Sequence, residues 1–262
     1  MSSEHTMVFV GGLHRSGTTP LTRCLAAHPE VSGLARTGVP EDEGQHLQDV
    51  YATRATGVGP DISRATRRPG SPSPVRSRFP ESVRRLWQAW APHWDLSRRV
   101  LVEKSPPNLL MTRFLLRLFP DAAFVMIMRH PVVVTLSTAK WVPHTPLPQI
   151  MHNWFAAHDA FSEDVRRLPR VRVLTYEELV ARPVDTLVRV GEFLGLNTPI
   201  PHETLRSDRS AVYCERWAAM ANSRRPMVRG AHAYMTARYS RRARHYGYSL
   251  DDLDQVGSGV LA

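Results

Sequence analysis

The chain is poor in cysteine and lysine and has no long apolar run. Cys24 and Cys214 are the only two cysteines in 262 residues, so no disulfide framework holds this fold. Cys24 falls in an apolar helical pattern and reads as a core residue. Lys104 and Lys140 are the only lysines, against a large arginine excess that brings the formal net charge to +10. Such a balance suits an anionic ligand, a nucleic acid or an acidic surface, and an arginine-rich composition bias gives the same number. No stretch approaches the roughly 20 apolar residues needed to span a bilayer. The N-terminus is largely polar up to the first strand and shows no targeting pattern. A soluble, cytoplasmic protein is the expectation. No His, Cys, Asp or Glu cluster has the spacing of a metal site, so no metal is expected. Helix-turn-helix, RNP and zinc-finger patterns are also missing, which argues against nucleic acid as a partner.

What is present centres on residues 8–25, VFVGGLHRSGTTPLTRCL. A short apolar run ends in Gly11-Gly12, a tight polar loop follows, and an apolar-periodic segment starts at Thr18. Strand, glycine loop and helix in that order aim backbone N–H groups and a helix dipole at one spot, which suits an anion. From Gly12 to Thr19 the spacing is G-x-x-x-x-G-T-T, a P-loop frame with Thr18 in place of the lysine. Arg15, inside the loop, supplies the positive charge instead. His14, Arg15, Ser16, Gly17, Thr18 and Thr19 are therefore the candidate anion-binding residues.

Along the chain, His28-Pro29 ends the first helix. Pro40 followed by Glu41, Asp42 and Glu43 predicts a helix start with acids in its first turn. Glu43 and His46, three apart, would share its face. Residues 53–80 are rich in Arg, Pro, Ser and Gly without any period, and read as a mobile loop near an acceptor site or as an unstructured insertion. A helix is expected over 80–94, with Val83, Leu86, Trp87 and Trp90 on one face. Residues 99–103 read as a buried strand running into Lys104-Ser105-Pro106. Asn108 is placed to cap the helix that follows. Residues 122–128, AAFVMIM, are a second continuous apolar strand, of the kind a parallel sheet covered on both faces requires. This strand ends in Arg129-His130-Pro131. Further helices follow, with another strand at 171–174, and a helical, basic tail occupies about 199–262. The alternation predicts an α/β fold: one three-layer, P-loop-like domain over residues 1–262, with a central parallel sheet flanked by helices.

Four stretches, in order, resemble the sulfotransferases that use 3′-phosphoadenosine 5′-phosphosulfate (PAPS). The loop Arg15-Ser16-Gly17-Thr18-Thr19 is similar to the phosphosulfate loop of the tyrosylprotein branch. Lys104-Ser105-Pro106 resembles the Lys-Ser/Thr-Pro element of the heparan branch. Arg129 and Ser137, eight apart, match the pair that binds the 3′-phosphate. VLTYEELVARPVDTLVRVGEFLGL, residues 173–196, resembles a family segment in which Tyr176 matches the residue at the adenine. A basic segment near the C-terminus, NSRRPMVRG, adds Arg224, Arg225 and Arg229 as candidate nucleotide contacts. The resemblance implies a bacterial, soluble transferase, with PAPS as cosubstrate and 3′-phosphoadenosine 5′-phosphate as product. Its acceptor would be a hydroxyl of a sugar, glycolipid or other small molecule, or of a protein tyrosine.

The cytosolic branch has a histidine two residues after the motif lysine, where this chain has Pro106. The other branches place an acid after the His-Pro. Glu43 is therefore the preferred general base, ahead of Glu41 and His46. Arg15 and Lys104 are the candidates to neutralise charge on the leaving phosphate. A P-loop kinase or nucleotide hydrolase is the competing enzyme reading. It needs a lysine at position 18 and a strand-ending Asp for magnesium. A basic nucleic-acid-binding protein is the competing non-enzyme reading.

Overall fold

The computed structural model describes residues 5–52, 79–206 and 210–253. The expected 53–80 loop lies almost wholly outside the described residues, as does the end of the tail.

Five strands form one all-parallel sheet: β1 (Thr6–Gly11), β2 (Val31–Gly33), β3 (Val100–Lys104), β4 (Ala123–Met128) and β5 (Val171–Thr175). Their order is β2-β3-β1-β4-β5, which puts β1 in the middle. Every residue of β3 and β4 is buried, as their unbroken apolar runs require. Side chains alternate between the two faces. On one face Met7 and Phe9 join Trp90, Leu101, Leu109, Phe124 and Phe161. On the other, Val8 and Val10 join Leu21, Leu25, Val102, Val125, Leu187 and Val190.

The first face is covered by α2 (Phe79–Trp90), α3 (Asn108–Leu118) and α5 (Leu147–Val165). The second is covered by α1 (Thr18–Ala26), α6 (Tyr176–Ala181) and α7 (Pro183–Leu194). These are the three layers. A third apolar cluster joins α4 (Pro131–Thr138), α5, α8 (Ala211–Ala221) and α9 (Pro226–His245). It is rich in aromatics, with Trp154, Phe155, Trp217, Tyr239, Tyr246 and Tyr248. Trp154 Nε1 donates to the Arg129 carbonyl at 3.0 Å, so this cluster pins the end of β4.

Two local expectations are corrected. Residues 40–46 are not an α-helix. They form two 3-10 turns, Pro40–Asp42 and Gly44–His46, with Glu43 extended between them. Glu41 and Asp42 both have positive φ, which no helix tolerates. Nor does Asn108 cap α3. Pro107 stands at that position, and the Asn108 amide instead donates to the Val10 carbonyl at 3.0 Å and to Glu103 at 2.6 Å. A cap would accept through Asn108 Oδ1, which is buried here without a partner, while the amide N–H groups are committed to Val10 and Glu103.

Strand order also positions the motifs. β1 is paired with β3 through Val10↔Lys104, and with β4 through Gly11↔Met126. The segments leaving β1, β3 and β4 therefore emerge side by side at the carboxyl edge of the sheet. The chain runs from β1 outward on one side and from β4 outward on the other, so the crevice lies at this switch.

Candidate active site

At the crevice, β1 leads through Gly12 into the loop and α1. Gly17 has φ 104°, and a Cβ there would meet the Tyr176 ring at 2.5 Å, so both backbone and packing demand glycine. Arg15 also has positive φ, 71°. That conformation costs an arginine roughly 1–3 kcal/mol. It is held by Arg129, whose Nη1 donates to the Arg15 carbonyl at 3.0 Å.

The side chain of Arg15 reaches the other way. Its Nε donates to Ser137 Oγ at 2.9 Å, and its guanidinium lies 5.3 Å from the Trp141 ring centroid. Arg129 and Ser137 thus converge on Arg15, one through the backbone and one through the side chain. Arg129 also stacks 4.0 Å from the Tyr176 ring centroid and donates to Ser210 Oγ at 2.8 Å. Burial lowers the Arg129 pKa from its ordinary value, against the pull of Tyr176 and Glu177. Arg129 Nε and Ser16 Oγ are buried without a hydrogen-bond partner, both beside the loop. Buried polar atoms normally have partners, so these two suit an incoming anion.

β3 brings Lys104 to the same edge, where its ammonium is nearly sealed from solvent at 3% exposure. It lies 3.1 Å from Glu43 Oε1, and donates to the Glu41 carbonyl at 2.8 Å and to Thr19 Oγ1 at 3.5 Å. Among the acids after the first helix, Glu43 is buried and Glu41 is exposed, meeting Lys104 only through its carbonyl. Asp42 is tied to Thr37, accepting from its N–H at 3.0 Å and its hydroxyl at 2.6 Å. Burial pushes the Asp42 pKa up, yet the Thr37 bonds and Lys104 outweigh it and leave it below the ordinary value. His46 Nε2 is 3.6 Å from Glu43 Oε2, and Gln45 Nε2 donates to the same oxygen at 2.5 Å. His14 lies near this group. Burial, with help from Lys104, lowers its pKa despite the charge of Glu43.

One cavity of about 1040 Å³ joins these parts. Its lining includes His14, Arg15, Gly17, Thr18, Thr19, Glu41, Glu43, His46, Arg129, Ser137 and Tyr176. Most of the residues expected from sequence therefore share one space, and Lys104, which does not line it, contacts the lining residues Glu43 and Thr19. The expected C-terminal arginines do not join them. Arg224, Arg225 and Arg229 sit at the exposed junction of α8 and α9, and none lines the cavity. Arg23 and Arg206 supply basic lining instead, with Tyr213 from α8. Burial alone would raise the Tyr213 pKa. Hydrogen bonds with Ser137 and Lys140, and the charges of Lys140 and Arg15, bring it below the ordinary value.

Several partners had no motif to announce them. Tyr213 and Arg206 come from a part of the chain without a recognisable pattern. Glu103 carried a signal: it is an acid inside an otherwise apolar strand. It is fully buried, and accepts from Ser105 Oγ at 2.5 Å and from Asn108. Burial raises its pKa to about 7, against those two hydrogen bonds and Lys104.

Among the described residues no group of three or more His, Cys, Asp or Glu is arranged to hold a metal. No helix among them is long and apolar enough to cross a membrane.

Protein-tyrosine sulfotransferase 2 of Gallus gallus is 27% identical over 217 residues, covering 78% of this chain and 56% of that protein. Protein-tyrosine sulfotransferase of Drosophila melanogaster is 24% identical over 215 residues, covering 73% and 38%. The chain spans about half the length of the curated relatives it matches. Among solved structures, sulfotransferase STF1 from Mycobacterium tuberculosis H37Rv aligns with TM-score 0.50 at 18% identity, over 88% of this chain and 77% of that one, a likeness of fold. The sequence model of the Sulfotransferase family matches residues 7–199, which include the glycine loop, Glu43, Lys104, Arg129, Ser137 and Tyr176. By that match across most of its length, the chain belongs to the Sulfotransferase family.

Proposed function

We propose that this chain transfers a sulfuryl group from PAPS to an acceptor hydroxyl, with Glu43 as general base. The observation that carries the reading is a single one. The anion loop and Glu43 line one cavity, and buried Lys104 is ion-paired with Glu43 behind its wall.

The residues fit the nucleotide. Ser16 Oγ and Arg129 Nε are buried donors without partners, and the first N–H groups of α1 have no intrahelical acceptor. The loop N–H groups with Ser16, Thr18 and Thr19 would hold the 5′ end. Arg129 and Ser137 would hold the 3′-phosphate, with Tyr176 against the base. When bound, PAPS supplies an activated sulfuryl group. The cavity is at the upper end of the volumes usual for small-molecule sites, about 300–1,000 Å³. That leaves room for an acceptor beside the nucleotide.

Glu43 would take the acceptor proton on a carboxylate oxygen. Lys104 and Arg15 would offset the negative charge that grows on the departing phosphate. Positioning and electrostatics carry most of such a displacement. His46, on the solvent side of Glu43, would help orient it.

The relatives' names make a tyrosine phenol the first acceptor to try, ahead of sugar, glycolipid and other small-molecule hydroxyls. The test is transfer of labelled sulfate from PAPS to a tyrosyl peptide, 2-naphthol and a monosaccharide panel. Calorimetry with 3′-phosphoadenosine 5′-phosphate runs beside it. Nucleotide binding with transfer to any of these supports the reading. Preference for ATP–magnesium over the 3′-phosphorylated nucleotide would replace it with the kinase reading.

A further inference from the structure

Glu103 is a fully buried acid at this edge that the proposed chemistry does not use. It does not face the cavity. Its two oxygens point into the wall between the anion loop and the turn that carries Glu43.

On one side, Asn108 Nδ2 donates to Glu103 Oε2 at 2.6 Å and to the Val10 carbonyl at 3.0 Å. Val10 is two residues before Gly12, at the root of the loop. On the other side, Ser105 Oγ donates to Glu103 Oε1 at 2.5 Å. The same Ser105 oxygen accepts the Gln45 backbone N–H at 3.0 Å. Gln45 then turns its side-chain amide onto Glu43 Oε2 at 2.5 Å. Gly44 lies directly on the Glu103 carboxylate. A Cβ there would come within 2.6 Å of Glu103 Oε1 and 2.9 Å of Trp90 Nε1, so the position requires glycine. Trp90 Nε1 also donates to the Gly44 carbonyl at 3.0 Å.

We infer that Glu103 is a positioning residue for the reaction, setting the Glu43 carboxylate against the anion loop through Ser105 and Gln45. The inference rests on the reading of Glu43 as the base. The physical logic is that residues 43–46 belong to no strand or α-helix, and a single 3-10 turn after Glu43 is too short to hold itself. A carboxylate that is sealed from water and accepts from two side chains is a rigid reference point. Glu103 is anchored on a central strand whose register with β1 is fixed. Loop and base are thereby referred to one atom group. A misplacement of about 1 Å in such a site can cost on the order of 100-fold.

Two single variants and a double variant test this, read by exchange, turnover and nucleotide affinity. Glu103→Gln keeps the shape and removes the charge. Ser105→Ala breaks the path while leaving Glu103 in place. Hydrogen–deuterium exchange, which needs no acceptor, should rise in residues 40–48 of both variants while β1 and α1 stay as protected as in the parent chain. Sulfate transfer from labelled PAPS to 2-naphthol or a tyrosyl peptide should fall roughly 10- to 100-fold in turnover, with affinity for 3′-phosphoadenosine 5′-phosphate changed less than about 3-fold. The Glu43→Gln/Glu103→Gln double variant should be no slower than Glu43→Gln alone, because Glu103 acts only through Glu43. Unchanged exchange at 40–48, exchange raised across the whole sheet, or losses that multiply in the double variant would overturn the inference. Normal turnover in Glu43→Gln alone would instead overturn the general-base reading on which it rests.

Discussion

Lys104 Nζ lies 3.1 Å from Glu43 Oε1, two residues 61 positions apart in sequence whose side chains are only 3% and 8% exposed. A nearly dry ion pair of opposite charges, at the mouth of a parallel sheet and beside an anion loop, sets the first two predictions.

Breaking one half of this pair should cost more than removing both. Lys104→Met leaves buried Glu43 with only the Gln45 amide and the more distant His46 as partners, a loss of up to about 3–5 kcal/mol by general experience with buried pairs. The Lys104→Met/Glu43→Gln double variant should recover much of it. Thermal unfolding of the three variants checks this. A double variant as unstable as Lys104→Met alone would show that the pair is not coupled.

Glu43→Gln should lower turnover by roughly 10²–10⁴-fold and leave nucleotide affinity nearly intact. Glu41→Gln should lose less than about 10-fold, because Glu41 meets Lys104 through its carbonyl and its carboxylate is exposed. Steady-state rates with parallel calorimetry separate the two. Equal losses in both variants would move the base away from Glu43.

The 3′-phosphate should be read at Arg129. Affinity for 3′-phosphoadenosine 5′-phosphate should exceed that for adenosine 5′-phosphate by at least about 10-fold, the worth of one charged hydrogen bond. In Arg129→Ala the two nucleotides should bind alike. Calorimetric titration of both against both proteins decides it. A preference that survives the substitution would place the phosphate elsewhere.

Stability should depend on pH through three buried groups of opposing sign. His158 donates from Nδ1 to the Trp154 carbonyl at 2.7 Å, and its buried Nε2 has no partner. His130 accepts from the Val132 N–H through Nδ1 at 3.2 Å, and donates from Nε2 to the Ser249 carbonyl at 2.9 Å. Burial holds both near pKa 4. The unfolded chain therefore binds more protons than the native one between about pH 6.5 and 4, and these groups destabilise the fold as pH falls through that window. Glu103, raised to about 7, works the other way. Its native form holds the extra proton between about 4.5 and 7, so it destabilises the fold as pH rises through that range. Urea unfolding at pH 5 and pH 7.5 should show His158→Phe losing less in acid than the parent chain. Glu103→Gln should lose less on going from pH 5 to pH 7.5. Parallel pH slopes in all three proteins would contradict the assignment.

Much of the site was legible because its largest parts are local. The glycine loop needs only Gly12, Gly17 and the residues between them, and Arg129 and Ser137 are eight apart at a strand end and on the following helix. The parallel sheet was legible for the same reason, since residues 122–128 are a short unbroken apolar run of the length a strand buried on both faces has. The turn at 40–46 was not. Its acids looked like a helix start, but Glu41 and Asp42 take positive φ because Lys104 and Thr37 hold their carbonyl and carboxylate from outside. Arg224, Arg225 and Arg229 do not line the cavity, because a run of arginines says that a surface is basic and not which way it faces.

What the sequence determined by itself was the chemistry available: an anion loop without a Walker lysine, one lysine ending a strand, and three neighbouring acids. Backbone propensity and strand burial act over a few residues, so they are written in short stretches. Which acid meets the lysine was decided only by the tertiary structure. Glu41, Asp42 and Glu43 are nearly equivalent in sequence. Parallel pairing of β3 with β1 puts Lys104 beside the loop, and Glu103, Ser105 and Trp90 hold the 43–46 turn over it. The contacts onto the turn from Trp90, Ser105 and Lys104 span 46, 60 and 61 residues and exist only once the sheet has formed, so the choice of Glu43 is a property of the fold.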